Sequence, residues 1–210
     1  MEWRSYRGRA RKGQGRHGVA RRQPAVRYDG PTMEAIRHLA FCASCGTKAA
    51  SVGTDPGGPF RCAACGFTLF FNSASAVAAI IERTDGRALF IRRAKDPGQG
   101  KLGMPGGFVD AGESGEQALV REVKEEVGLD LKDVRYLSSH ANRYFYAGVT
   151  YHTLDLFYTG RVDDPDAAAA LDAVDAIAWI DPRTVPLDEI AFDSMKAALE
   201  VFRAGAFARG

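Results

Sequence analysis

The chain has 210 residues, 46% of them hydrophobic and 26% charged, with a net charge of +2, enough for one good-sized core or two small ones. That balance excludes a fibrous or wholly disordered protein. No apolar run approaches the roughly 18 residues of a membrane-spanning helix, and the N-terminus has no apolar segment of secretory type. A soluble, cytoplasmic protein is expected.

Charge is unevenly distributed. Residues 1–32 carry Arg4, Arg7, Arg9, Arg11, Lys12, Arg16, Arg21, Arg22 and Arg27 against Glu2 and Asp29, a net +7, which leaves the other 178 residues at −5. With almost no aliphatic side chains, this stretch cannot bury enough surface to offset its conformational entropy, so a disordered basic tail is expected. An arm for nucleic acid or another anionic surface, or an atypical transit peptide, is the less expected reading of it. The alternative is that translation begins at Met33, where the composition turns globular.

All four cysteines lie in two Cys-x-x-Cys-Gly units, Cys42/Cys45/Gly46 and Cys62/Cys65/Gly66, separated by sixteen residues. That spacing suits a four-cysteine zinc site. Each unit is a tight turn that presents two thiolates on one side, and two such turns complete the tetrahedron zinc prefers. Two disulfides are the competing reading, disfavoured without a secretory signal; a redox pair is another, but it would want a βαβ setting. Four thiolates leave no open coordination position, so the zinc would be structural, stapling a module over residues 33–72 that has little core of its own.

Next, Ala76–Ile81 and Ala88–Ile91 are apolar runs joined by Thr84-Asp85-Gly86, which reads as a hairpin. Asp96–Gly100 is a loop, and Met104–Val109 a short strand whose Gly106 and Gly107 permit close approach of a ligand or backbone. Ser114 followed by Gln117 is a capping-box start and Gly128 a stop, so the pattern predicts a helix over Gly115–Val127. At 3.6 residues per turn Leu119, Val120, Val123 and Val127 form an apolar stripe, and Glu122, Glu125 and Glu126 converge beside it. Like charges so close repel. Arg121 can reach Glu125, but one guanidinium cannot neutralise three carboxylates, and an all-oxygen set suits Mg²⁺ or Mn²⁺. Standing alone, the triplet would more often be a solvated acidic face than a metal site.

Downstream, Val134–Ser139 and Val149–Tyr158 read as strands linked through Asn142–Tyr146. Tyr144, Tyr146 or Tyr151 could stack on a base and Arg143 could meet a phosphate, although cross-strand aromatics are more often packing. Asp163–Asp166 and the alanines after it form a turn and a short helix or loop, and Ala176–Ile180 a further strand. Phe192, Met195, Leu199 and Phe202 share one face of a final amphipathic helix. His17, His38, His140 and His152 suggest no role.

Gly107, Glu113, Arg121-Glu122-Val123, Glu125-Glu126 and Gly128-Leu129 fill every specified position of the Nudix box, G-x5-E-x7-R-E-U-x-E-E-x-G-U, with U aliphatic. A chance match in a chain of ordinary composition is on the order of 10⁻⁷ or less, so the solvated-face reading gives way. The chain thus resembles the Nudix hydrolases over about residues 73–205, and with its ribbon resembles the zinc-ribbon subgroup that includes NADH pyrophosphatases.

The resemblance implies an α/β/α sandwich around a mixed sheet, occupying residues 73–210. Glu122 and Glu126 would be principal metal ligands, and Glu125 a further ligand or the group that helps deprotonate water. The Gly106 carbonyl would offer another ligand, and Arg121 would orient the glutamates. The implied reaction is hydrolysis of a diphosphate linkage in a nucleoside diphosphate derivative.

NADH pyrophosphatases carry a Ser-Gln-Pro-Trp element after the box, whereas this chain has Ser138-Ser139-His140-Ala141-Asn142-Arg143. That departure bears on NADH specificity and leaves an NADH or ADP-ribose pyrophosphatase as the narrower alternative. A nucleotide-sensing regulator that binds nucleic acid through ribbon and tail is the alternative of another class. Many family members use a further acid before a late strand, for which Asp172 and Asp175 are the candidates. Members often dimerise, though no residue here specifies an interface.

Overall fold

We describe a computed structural model of the chain over residues 39–48, 59–147 and 149–205. The basic tail, Met33, and the segment between the two cysteine units at 49–58 lie outside the described residues, as do His17 and His38.

The small N-terminal unit has two matching halves. In each, the amide of the glycine after the cysteine pair donates to the first cysteine's carbonyl, Gly46 to Cys42 and Gly66 to Cys62, both at 2.9 Å. Each glycine takes a positive φ, 70° and 75°, which closes the turn without a Cβ clash. Beyond the second turn, β1 (Phe60–Arg61) pairs antiparallel with β2 (Thr68–Leu69). The core is small: Cys42, Phe60 and Cys62 are buried, with Leu39, Phe67, Leu69 and Phe71 packed on them.

The larger unit is a six-stranded mixed sheet between two helices. Strands β3 (Ala74–Glu82), β4 (Ala88–Arg93), β5 (Leu102–Gly103), β6 (Lys132–Tyr146), β7 (Val149–Arg161) and β8 (Val174–Ile180) run in the order β5-β4-β3-β7-β6, with β8 also paired to β4. The pairing of β3 with β7 is parallel, and the other pairings are antiparallel.

Both faces of β3 are buried, which accounts for its unbroken apolar run. Val77, Ala79 and Ile81 meet helix α1 (Gly115–Val127) through Ala118, Leu119, Val123 and Val127. Ala78 and Ile80, with Phe90 and Phe157, meet helix α2 (Asp193–Arg203) through Met195, Ala198 and Leu199. Phe192 caps α2 and Phe202 packs at its far end.

Several expectations change. The predicted hairpin turn is present, with Gly86 donating to the Arg83 carbonyl at 2.9 Å, but β3 and β4 pair only at Glu82 and Ala88. Beyond that pair the two strands separate, and the Leu102–Val109 segment fills the gap. Its first part pairs with β4 as β5; farther on, the Pro105 and Gly107 carbonyls accept from the Ala79 and Val77 amides at 2.9 and 2.8 Å. Met104–Val109 is therefore a wedge rather than the short strand expected.

Asn142–Tyr146 is not a linker but the end of β6, paired residue by residue with β7. On α1, Val120 is 42% exposed and Ala118 takes its place in the stripe. The helix follows its signals closely: Ser114 and Gln117 form both bonds of the capping box, and Gly128 stops it at φ 74°. Removing the Leu119 side chain from this core should cost about 2–5 kcal/mol of unfolding free energy, whereas Val120→Ala should change it by less than about 0.5; urea denaturation of the two variants checks this.

Candidate active site

The site lies where the wedge passes between β3 and α1. Gly106 has φ 149°, and a Cβ there would stand 2.1 Å from the Val77 carbonyl oxygen. A Cβ on Gly107 would stand 2.4 Å from the Glu122 carboxylate. The two glycines therefore let the backbone press against the sheet on one side and the acidic helix on the other.

The Gly106 amide donates to Glu126 Oε2 at 2.9 Å. Since the carbonyls on either side of it, Pro105 and Gly107, are engaged by β3, the Gly106 carbonyl stands outside that ladder.

Arg121 ties the loop before α1 to the helix. Its Nε and Nη2 donate to the two oxygens of Glu113 at 2.9 and 3.0 Å, a bidentate pair. Its Nη1 donates to Glu122 at 2.9 Å and Glu125 at 3.1 Å, and Nη2 also reaches the Phe108 carbonyl at 3.1 Å. The reach to Glu125 is as expected, but Glu113 is the fuller partner. That pairing holds the Glu113 carboxyl below its ordinary range and lifts the guanidinium above its own.

Glu126 is left outside this network. Burial pushes its carboxyl up to about 8, against the Gly106 amide, which pulls it down; the negative charges of Glu122 and Asp172 add to the rise. Burial likewise raises Glu122, with Arg121 opposing it.

These groups line one cavity of about 310 Å³, together with Gly106, Gly107, Asp110 and Glu125. Six carboxylates, those of Asp110, Glu122, Glu125, Glu126, Asp155 and Asp172, face Arg93 and Lys95 there. Negative charge in excess on hard oxygen donors fits a divalent cation such as Mg²⁺. The glutamates line a common wall without closing on a point. Among the described residues only the cysteines bring all their donor atoms within 4.8 Å of one another.

The cysteine site fits zinc on geometry. Sγ of Cys42 lies 3.7 Å from that of Cys65, and Cys45 the same distance from Cys62. Tetrahedral ligands at Zn–S of about 2.3 Å stand about 3.8 Å apart. None of the four cysteines is joined in a disulfide, which is against the disulfide reading.

Other expected residues divide. Tyr144 lines the cavity, whereas Arg143, Tyr146 and Tyr151 are exposed and outside its lining. Of the two candidate aspartates, Asp172 lines the cavity and Asp175 does not. Arg93, Lys95, Phe108, Asp110 and Asp155, to which the sequence pattern gave no role, also line it, as does Phe192, expected only as a packing residue of the last helix. The alternation Thr153, Asp155, Phe157 along β7 was an available sign, since it puts an acid on the buried face.

The sequence pattern of the NUDIX domain matches residues 72–201. The chain belongs to the Nudix family. Curated relatives include an ADP-ribose pyrophosphatase of Methanocaldococcus jannaschii, 48% identical over 63 residues, 30% of this chain and 37% of that one. Another is a NAD-capped RNA hydrolase, NudC, of Chromobacterium violaceum, 29% identical over 70% of this chain and 51% of its own length. The chain thus spans about half the length, or less, of these curated relatives. Among solved structures, a Nudix hydrolase from Nitrosomonas europaea aligns with a TM-score of 0.60 at 22% identity, covering 80% of this chain and 92% of that one. This likeness bears out the α/β/α Nudix fold.

Because the Val77 carbonyl cannot move away from a side chain at Gly106, Gly106→Ala should cost more than about 3 kcal/mol. At Gly107 the obstacle is the movable end of Glu122, so Gly107→Ala should keep the fold at a cost of about 1 kcal/mol and turn Glu122 away from Arg121. Thermal unfolding of both variants and a structure of the second check this.

Proposed function

We propose that this protein is a cytoplasmic Nudix pyrophosphohydrolase that cleaves the diphosphate linkage of a nucleoside diphosphate derivative with Mg²⁺ or Mn²⁺. The observation that carries this reading is the single cavity in which Glu122, Glu125, Glu126 and the Gly106 turn stand beside an aromatic wall. The names of the relatives favour ADP-ribose or NAD-type substrates over other nucleoside diphosphate derivatives.

Glu122 and Glu126 would hold the cation, with the Gly106 carbonyl on the same side and Glu125, the most exposed of the three, as a further ligand or the acceptor of the water's proton. When bound, the cation neutralises the diphosphate oxygens and makes water a better nucleophile at neutral pH. Arg121 keeps Glu122 and Glu125 from turning into solvent. Arg93 and Lys95, the cations of the cavity wall, meet remaining charge on the diphosphate. With every box carboxylate in place, hydrolysis accounts for the site better than ligand sensing alone.

We further read residues 33–72 as a zinc ribbon, residues 73–210 as the catalytic domain and residues 1–32 as a separate basic tail. The ribbon's zinc is structural, since four cysteines saturate it.

With Mg²⁺ supplied, a screen of ADP-ribose, NADH, dinucleoside polyphosphates, nucleotide sugars and nucleoside triphosphates should show turnover to a nucleoside monophosphate and a second phosphate, and Glu126→Gln should lower kcat at least about 100-fold. No turnover on any of them while Mg²⁺ binds would count against the enzyme. Elemental analysis should find one zinc per chain, falling below about a tenth of that in Cys62→Ser.

A further inference from the structure

The α2 side of the same cavity holds a group that diphosphate cleavage does not use. Asp155, on β7, is 8% exposed. Thr153 Oγ1 donates to its Oδ1 and Ser194 Oγ to its Oδ2, both at 2.6 Å. Among the described residues no Lys or Arg forms an ion pair with it, and His140 acts on it only as a charge at a distance. His140 is its cross-strand neighbour, but that ring bonds to the Ser138 hydroxyl at 3.1 Å and lies against Phe157.

A buried carboxylate is costly unless its oxygens are well supplied with donors. Each oxygen here accepts one bond, and a carboxylate accepts about four. The remaining capacity faces a cavity whose walls are flat. Tyr144 packs edge-on against Phe108 at 5.4 Å and tilted against Phe192 at 5.8 Å, and the Arg93 guanidinium lies 4.9 Å above the Phe192 ring. Asn142, opposite Thr153 on β6, adds an amide with both a donor and an acceptor.

A planar ring suits such walls, and only an N–H edge suits Asp155. We propose that Asp155 selects substrates whose purine carries an amino group, accepting a hydrogen bond from that group while the aromatic walls hold the ring. This deepens the hydrolase reading and rests on it for the word substrate, but the binding it describes needs neither cation nor cleavage. Hypoxanthine in place of adenine would turn an acceptor oxygen toward the carboxylate where the 6-amino donor had been, and in place of guanine it would lose the 2-amino donor; either change leaves a buried carboxylate with a bond unmade.

The test is calorimetric binding of AMP, GMP and IMP to the full chain without divalent cations, repeated on Asp155→Asn, with kcat/KM for ADP-ribose and its hypoxanthine counterpart measured in parallel. Wild-type protein should bind AMP or GMP, whichever presents the right edge, at least about tenfold more tightly than IMP. AMP favoured over GMP assigns the 6-amino group, and the reverse assigns the 2-amino group. Asp155→Asn should narrow or invert the preference over IMP without weakening IMP binding.

Equal affinities in the wild type, no saturable binding of any of the three at millimolar concentration, or an equal loss for all three in Asp155→Asn overturns the proposal. The wild-type comparison decides even if the variant fails to fold. Amino-selective binding without turnover would sink the hydrolase reading and leave the binding assignment standing, and turnover without selectivity would do the opposite.

Discussion

The absence of two β-carbons sets the geometry of this site. With Gly106 against the Val77 carbonyl and Gly107 against the Glu122 carboxylate, the wedge can run between β3 and β4 and bond to the first. Any side chain at Gly106 would force the wedge away from the sheet, and its amide would leave Glu126. The split in the sheet, the cavity and the placement of the acidic helix all follow from that close approach.

Given the approach, electrostatics shapes what remains. Arg121 is shared among Glu113, Glu122 and Glu125, so it tethers the loop before the helix as firmly as it orients the helix's own carboxylates. Its planar fork makes this possible; a lysine, with one charged nitrogen, could not reproduce the bidentate bond to Glu113 and the bonds to two other acids. Among the described residues Glu126 accepts from one backbone amide and has no ion-pair partner, Arg93 acting on it only across the cavity. Its proton affinity is raised first by burial and then by the negative charges of Glu122 and Asp172, so a cation bound among these carboxylates would relieve both.

Local signals were legible and nonlocal ones were not. The capping box, the glycine stop and the acid triplet of α1 are contiguous in sequence, so helical period and cap chemistry fixed both its ends. The cysteine pairs were equally plain, because each is a short Cys-x-x-Cys-Gly unit contiguous in sequence. The splitting of β3 from β4 could not be read, since each is an apolar run whatever its partner, and partner choice depends on a wedge whose glycines are explained only by the backbone they touch. Asn142–Tyr146 looked like a linker because its polar and aromatic residues lack a buried face; pairing to β7 alone makes it strand. Val120 was misplaced because a stripe computed at 3.6 residues per turn does not show where the sheet ends.

The same contrast separates the two ends of the cavity. The acidic end comes from Gly106 to Glu126, one stretch of a loop and about three helical turns, joined from afar by Asp172. The aromatic end draws Phe108, Asn142, Tyr144, Asp155 and Phe192 from the wedge, both strands of a long hairpin and the last helix. A contiguous stretch can carry the same chemistry between proteins whose remaining loops differ. The dispersed end changes whenever one strand or the helix changes a side chain, so ligand choice can vary while the carboxylates of the acidic end stay as they are. In this chain Asp155 and its two hydroxyl partners sit at that variable end, on the opposite face of the sheet from the buried stripe of α1, where a substitution can alter recognition without disturbing the glutamates.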